Sequence, residues 1–284
     1  MTLNPRRPPG EGHSVSGEVE IISVGNELLI GKVVNTNAQW LARRCTTLGM
    51  KVRRITVVGD SLEEISSAVK EALSRRPRFI ITTGGLGPTF DDKTLEGIAL
   101  CLGRELKVDG DALNMVKDAY RRLVEEGRIE GYELTPHRVK MARLPEGAKP
   151  LANPVGVAPG VAMNVDGTTI IALPGVPAEM KAIFEESVAP MIRDAAGDAT
   201  FFEASLLAYG VVESDLAPIV EEAMKANPYV YIKSHPRWAG RTPYIELHLS
   251  TTAEDSNTAR KRLSSVIVML TEMIKQAGGS VKPQ

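Results

Sequence analysis

The chain of 284 residues is 43% apolar and 24% charged, with 34 basic against 35 acidic side chains. That length suits one large domain or two modest ones, and the composition excludes both a disulfide-stapled miniprotein and an intrinsically disordered chain. A net charge of -1 gives no global field toward nucleic acid or an anionic membrane, and no apolar run approaches the roughly 20 residues that cross a bilayer.

Residues 1–17, MTLNPRRPPGEGHSVSG, are rich in Pro, Gly and Ser without a signal-peptide core, and predict a disordered lead-in. The run VEIISVG, 19–25, predicts a strand covered on both faces. Asn35 and Thr36 offer cap oxygens for a helix that carries Ala38, Leu41, Ala42 and Cys45 at helical spacing and stops at Gly49. A second strand follows at 51–58, then Asp60 and Glu63 fit a capped helix start with Ile65, Val69, Ala72 and Leu73 on its apolar face. RFIITT, 78–83, is a third strand, and the glycine-rich stretch after it leads into a helix ending near Gly103. This alternation predicts a mostly parallel sheet with right-handed crossovers.

A helix at about 111–127 precedes an irregular, Pro- and Gly-rich stretch reaching Gly160. TTIIALPG, 168–175, is a further buried strand, and Pro177 starts a helix to about Ala195. From Phe201 the pattern becomes a strand at 202–208, a helix Glu213–Ala226, strands near 229–233 and 243–250, and a helix at 254–276. Tyr244, Glu246 and His248 alternate there with Ile245, Leu247 and Leu249, the signature of a half-exposed sheet. The expected organisation is therefore a lead-in at 1–17, an α/β domain at 18–197 and a small α+β domain at 198–284, joined near Gly197. Cys45 and Cys101 have no partners at metal-ligand spacing, which predicts free thiols and a cytoplasmic setting.

The segment Thr82-Thr83-Gly84-Gly85-Leu86-Gly87-Pro88-Thr89-Phe90-Asp91-Asp92-Lys93-Thr94 sits at the carboxyl end of a buried strand, where open α/β sheets bind ligands. Its glycines let backbone N–H groups turn toward a phosphate, and the following helix adds positive potential. The spacing is neither GxGxxG nor a Walker pattern. Asp91 and Asp92 would repel a phosphate unless a divalent cation such as Mg²⁺ bridges the two; otherwise they are first-turn helix charges. Asp60 ends the neighbouring strand at the same edge, as a third metal ligand or as an N-cap. LPGVP, with Pro174 and Gly175, adds a second turn at that edge. NPVGVAPG, 153–160, is a lid or a connector. Glu27 could meet a sugar hydroxyl or cap a turn, and Asn37 adds a polar group nearby or serves the helix cap. The four histidines, His13, His137, His235 and His248, lack the companions of a zinc site, and no GxSxG elbow is present. Lys233, His235, Arg237, Trp238 and Arg241 form a basic, aromatic stretch that would touch RNA or lie solvated on a hairpin.

The motifs GNELLIGKVVNTNAQWLA, VVGD, TTGGLGPTFDDKT, TPHRVKMARLPEGA, NPVGVAPG and LPGVPAEM, in that order, resemble the amino-terminal region of CinA-type competence/damage-inducible proteins. That region belongs to the wider molybdopterin-binding fold of MogA- and MoeA-like proteins. The resemblance spans about residues 19–195, and YGVVESDLAP extends it into a small KH-like domain. It implies a three-layer α/β/α domain with its site at the carboxyl ends of the strands. It also implies that Asp60 and Asp92 serve the metal and ligand site, that Asp91 fills an extra acidic position of the CinA branch, and that Lys140 contacts phosphate.

The implied activity is divalent-metal-dependent (Mg²⁺ or Co²⁺) hydrolysis of a nucleotide pyrophosphate such as ADP-ribose. In that chemistry Asp60, Asp92 and Lys140 are catalytic, and Thr83, Gly84, Gly85, Gly87, Glu27, Asn37, Pro174 and Gly175 bind the substrate. The alternative is a binder of molybdopterin or another phosphorylated pterin without turnover; RNA association through the small domain ranks below both. Relatives that form dimers or trimers imply a homo-oligomer, with a small phosphorylated partner and no membrane. The chain departs from the family pattern at Met141 (usually Gln), Val157 (usually Thr) and Asn26 (commonly Thr). Its length leaves no room for a carboxy-terminal amidase domain, so deamidation of nicotinamide mononucleotide is not expected.

Overall fold

The computed structural model describes residues 17–197, 200–240 and 242–283. The expected lead-in lies outside these residues apart from Gly17, as do His13 and Arg241.

In chain order the larger part runs β1 (Glu18–Val24), α1 (Asn26–Leu29), α2 (Thr36–Thr47), β2 (Lys51–Val58), α3 (Leu62–Ser74), β3 (Phe79–Thr83), α4 (Thr94–Leu102), β4 (Leu106–Val108) and α5 (Gly110–Glu125). It continues through α6 (Pro136–Lys140), β5 (Arg143–Pro145), β6 (Lys149–Leu151), β7 (Gly160–Val165), β8 (Thr168–Leu173), α7 (Pro177–Ile183), a π-helical turn (Phe184–Val188) and α8 (Ala189–Ala196). Six strands form one sheet in the order β2-β1-β3-β8-β7-β6. The first four are parallel, β7 runs antiparallel to β8, and the edge strand β6 is antiparallel to β7.

Alternation along each strand divides two cores. Val19, Ile21, Phe79, Ile81, Ile171 and Leu173 pack against Leu41 of α2, Met180 and Ile183 of α7, and Ile192 of α8. Ile22, Val24, Ile80, Ile170 and Ala172 pack against Ile65 and Val69 of α3, Ile98 of α4 and Val116 of α5. Helices on both faces of a parallel sheet make the expected three layers. Both cysteines are free thiols, on opposite faces; burial pushes the Cys45 thiol up to about 12.

Three expectations change. The run at 19–25 is not wholly apolar in effect: Glu20 is 1% exposed within it. Arg75, at the end of α3, holds its carboxylate with two hydrogen bonds of 2.6 and 2.7 Å. The stretch read as irregular to Gly160 contains α6, β5 and β6, and at its end Gly160 opens β7. β7 pairs with β8 through the two-residue turn Asp166-Gly167, both at positive φ (49° and 88°), the geometry that Asp-Gly favours in hairpins. The helix from Pro177 reaches Ala196 but widens to a π turn just before Pro190, whose missing N–H breaks the helical ladder.

The remainder forms β9 (Thr200–Tyr209), α9 (Glu213–Ala226), β10 (Val230–Ala239), β11 (Thr242–Ala253), α10 (Ser256–Gln276) and β12 (Ser280–Pro283). Its strands make an antiparallel sheet in the order β10-β11-β9-β12. Ile245, Leu247 and Leu249 face a core of their own with Leu216, Val220, Leu263 and Leu270. Strands β10 and β11 run longer than the apolar pattern indicated, and β12 was not expected.

Glu20 gives a stability test. Arg75→Ala leaves a buried carboxylate without its counter-charge, and urea unfolding should show a loss of about 3 kcal/mol. Adding Glu20→Gln should recover part of it. A loss below about 0.5 kcal/mol would mean that the pair is no more than a surface ion pair.

Candidate functional site

The carboxyl ends of the parallel strands open into a cleft of about 800 Å³. Ser23 to Gly25 at the end of β1, Asp60 after β2, the loop after β3, the Pro174-Gly175 turn after β8, the 155–158 segment and Tyr120 of α5 all line it.

The glycine loop is shaped by a close approach. Gly84 has φ +105°, and a Cβ there would lie 2.2 Å from the carbonyl oxygen of Val24, so no side chain fits between β1 and the end of β3. The Gly84 N–H donates to Leu173 O at 3.0 Å, extending the pairing of β3 with β8. This corrects the expected role of Gly84: its donor is spent on the sheet. Among the described residues the N–H groups of Gly85, Leu86 and Gly87 have no acceptor, and they are the donors left for an anion.

Asp91 and Asp92 are brought together by Thr89. Its hydroxyl lies 2.5 Å from both Asp91 Oδ1 and Asp92 Oδ2, and its N–H donates to Asp92 Oδ2 at 2.8 Å. One hydroxyl proton serves one carboxylate at a time, so two negative groups converge on a single donor. The hydrogen bond from Thr89, then the Asp91 backbone N–H, hold the Asp91 carboxyl below the usual carboxylate range.

Asp60 lines the same cleft, but its Oδ2 accepts from the N–H of Asn26 at 2.9 Å. Among the described residues no group of three or more acidic, His or Cys side chains has metal-binding geometry. The expected trio of Asp60, Asp91 and Asp92 is therefore not assembled, because Asp60 is tied to the turn after β1. Nor does Asp60 cap α3; Ser61 does, accepting from Glu64 N. Lys140 also differs from expectation. Its ammonium donates to the carbonyls of Thr89 at 2.5 Å and Asp92 at 2.7 Å, clamping the loop that carries the acids.

The other site residues form a seam. Asn37 Nδ2 donates to Thr83 Oγ1 at 3.1 Å and Gly175 O at 2.8 Å, and Thr83 Oγ1 donates to Pro174 O at 3.0 Å. These four residues join α2 to the ends of β3 and β8. The cap of α2 is Asn35, which accepts from Ala38 N at 3.0 Å. Glu27 is exposed at the cleft wall, its carboxylate over Gly25. Met141 is buried at the cleft, where it offers no amide.

The 153–160 segment is a fixed wall rather than a loose connector. Asn153 anchors it from within, Arg122 of α5 donates to Gly156 O at 2.9 Å, and Glu179 of α7 lies against it. Reading the sequence did not single out Asn153, Glu179 or Arg122. The Asn-Pro-x-Gly composition marked a turn there, but its partners are distant in the chain. His248 Nε2 lies 3.6 Å from Glu203 in the small sheet. Lys233, His235, Arg237 and Trp238 lie along β10 and do not line the cleft.

Residues 20–194 match the family described as "Probable molybdopterin binding domain". A protein of Aeropyrum pernix is 44% identical over 266 residues, 93% of this chain and 96% of its own length. One of Pyrobaculum arsenaticum is 45% identical over 267 residues, 94% of this chain and 98% of its own length. Among solved structures, the crystal structure of the protein CinA, of unknown function, from Thermoplasma acidophilum is similar with a TM-score of 0.55 and 43% identity. That similarity covers 63% of this chain and 99% of that one.

Lys140 is tested by Lys140→Met, which keeps the length of the side chain but releases both carbonyls. Hydrogen exchange at the bonded amides of Thr89 and Asp92 should quicken at least about tenfold, with a stability loss of about 2 kcal/mol. Unchanged exchange at those amides would show that the ammonium does not hold the loop.

Proposed function

The chain belongs to the CinA-type branch of the molybdopterin-binding domain family, and from that premise we propose that it hydrolyses a nucleotide pyrophosphate such as ADP-ribose in a divalent-metal-dependent reaction. One observation carries the reading: unengaged N–H groups at Gly85, Leu86 and Gly87 share a cleft with two carboxylates converging on the Thr89 hydroxyl. Donors for an anion beside paired acids suit a ligand that is phosphate and cation together.

The donor set fits a hard cation. Mg²⁺ is commonly held by one or two carboxylates with phosphate oxygens and water completing its shell, which asks for Asp91 and Asp92 and not for a third acid. Bound there, such an ion (Mg²⁺ or Co²⁺) supplies charge neutralisation and polarisation of a phosphoryl oxygen. The chain's own groups do the rest. The Gly85, Leu86 and Gly87 N–H groups hold phosphate oxygens as charge develops. Glu27, an acceptor, meets hydroxyls of the ribosyl end. Asn37, Thr83, Pro174 and Gly175 set the floor on which the ligand lies, and Asp60 fixes the turn that bears Glu27. Lys140 keeps Asp91 and Asp92 in register with the donors. A cleft of about 800 Å³ is within the range for a ligand of nucleotide size.

A second reading has its own observation. The Lys140 ammonium is taken up by two carbonyls and Met141 is apolar, as suits a site that holds a phosphorylated pterin such as molybdopterin without hydrolysing it. Purified protein given ADP-ribose with Mg²⁺ or Co²⁺ should release AMP and ribose 5-phosphate. Asp92→Asn should lower kcat/KM by roughly a hundredfold or more. Tight binding of a pterin phosphate, with no AMP released under any metal, would decide for the second reading.

A further inference from the structure

Glu179 has no part in the chemistry described so far, yet its setting is built. It stands in the first turn of α7, just beyond Gly175, where an added Cβ would lie 3.3 Å from the Cα of Gly84. Glu179 lines the same cleft as the phosphate loop, on the side of the 155–158 wall.

Its carboxylate is held in one place. Asn153 Nδ2 donates to Glu179 Oε2 at 2.6 Å. Asn153 is 9% exposed, and its second Nδ2 hydrogen goes to Ala158 O at 2.8 Å, while its Oδ1 accepts from Val155 N at 3.2 Å and Gly156 N at 2.8 Å. Flipping that amide would set an oxygen against a carboxylate and a carbonyl, so the NH₂ must face Glu179. The carboxylate fills the space that Gly156 leaves, since a Cβ there would lie 2.0 Å from it.

Only one of the two oxygens is engaged, and among the described residues no cation pairs with this half-buried group. Glu20, which is fully buried, has its arginine. A staple for the 153–158 wall needs one acceptor; it does not need a charged group with a second oxygen left unengaged on a residue that lines the cleft.

We propose that Glu179 is the general base of the hydrolysis, with Asn153 as its positioning residue; the inference rests on the hydrolase reading above. Glu179 Oε1 takes a proton from the attacking water as the water oxygen bonds to phosphorus. The bridging P–O bond breaks, its electron pair leaves with the departing phosphate monoester, and the proton passes from Glu179 to solvent. ADP-ribose and one water give AMP and ribose 5-phosphate. A base oriented by a third group is the arrangement that proton transfer requires.

Glu179→Gln tests this, because a glutamine Oε1 still accepts from Asn153 but takes up no proton. The expected result is a fall in kcat of about a hundredfold or more, with KM and melting temperature unchanged. Formate should restore part of the turnover of Glu179→Ala, which a purely structural role would not allow. Asn153→Ala should lower both kcat and melting temperature. Wild-type turnover in Glu179→Gln, or no rescue by formate, overturns the assignment while the hydrolase reading stands. Ligand binding without hydrolysis by the unaltered protein overturns both.

Discussion

The cleft depends on a contact that leaves no room for a side chain. After β3 the backbone passes so close to the end of β1 that Gly84 and the Val24 carbonyl nearly touch, and Gly175 closes on Gly84 from the β8 side. Three parallel strands thus end in one compact seam, and the loop leaving it turns its next three N–H groups away from the sheet's own ladder. Were a Cβ present, β1 and β3 would separate and the cleft floor would split. A parallel sheet exposes its ligand edge at the carboxyl ends of the strands; here the glycine decides how tightly that edge is drawn together.

On this floor the charges are arranged in opposition. Donors sit on the loop backbone from Gly85 to Gly87, and acids sit a few residues on at Asp91 and Asp92, held by Thr89 and by the Lys140 clamp on the loop carbonyls. Among the described residues no hydrogen bond joins the two sets, and Thr89 has one hydroxyl proton for two carboxylates. The positive charge of Lys140 and Lys93 is felt at Asp91 and helps to keep it ionised. A site so composed is completed by a ligand bringing both signs, which is why a phosphate with a cation fits it better than either alone.

What could be read from the sequence follows the range of the interactions. The first three strands, their helices and the glycine loop declare themselves locally, through buried runs and amphipathic spacing, and the register of Ile245, Leu247 and Leu249 was legible for the same reason. Glu20 was not, because its arginine lies 55 positions away, and the Lys140 clamp spans 48 positions to Asp92. Asn153 and Glu179 meet across 26 positions. Antiparallel β7 is marked locally by Asp166-Gly167, but the exposed Asn164 interrupts its apolar run, and the sequence pattern assigns no element between Gly160 and Thr168. The acids were found by their place beside the glycines; their pairing without Asp60 depended on Asn26, whose backbone N–H holds that carboxylate.

The seam also holds a cost that bears on how the site works. Asn37 donates both its amide hydrogens, to Thr83 and Gly175, and among the described residues its buried Oδ1 has no partner. An unmet acceptor of this kind costs about 1–3 kcal/mol. It persists because the orientation is over-determined: turning the amide would satisfy the oxygen only by setting it against the Gly175 carbonyl. Stability is therefore given up to hold the ends of β3 and β8 against α2 in one geometry. That exchange is reasonable where the floor must be in place before the ligand arrives, since donors fixed in advance need no reorganisation as charge develops on a phosphoryl group. Asn153 fixes the 153–158 wall without that cost, since its amide donates to Ala158 O and Glu179 Oε2 and accepts from Val155 N and Gly156 N.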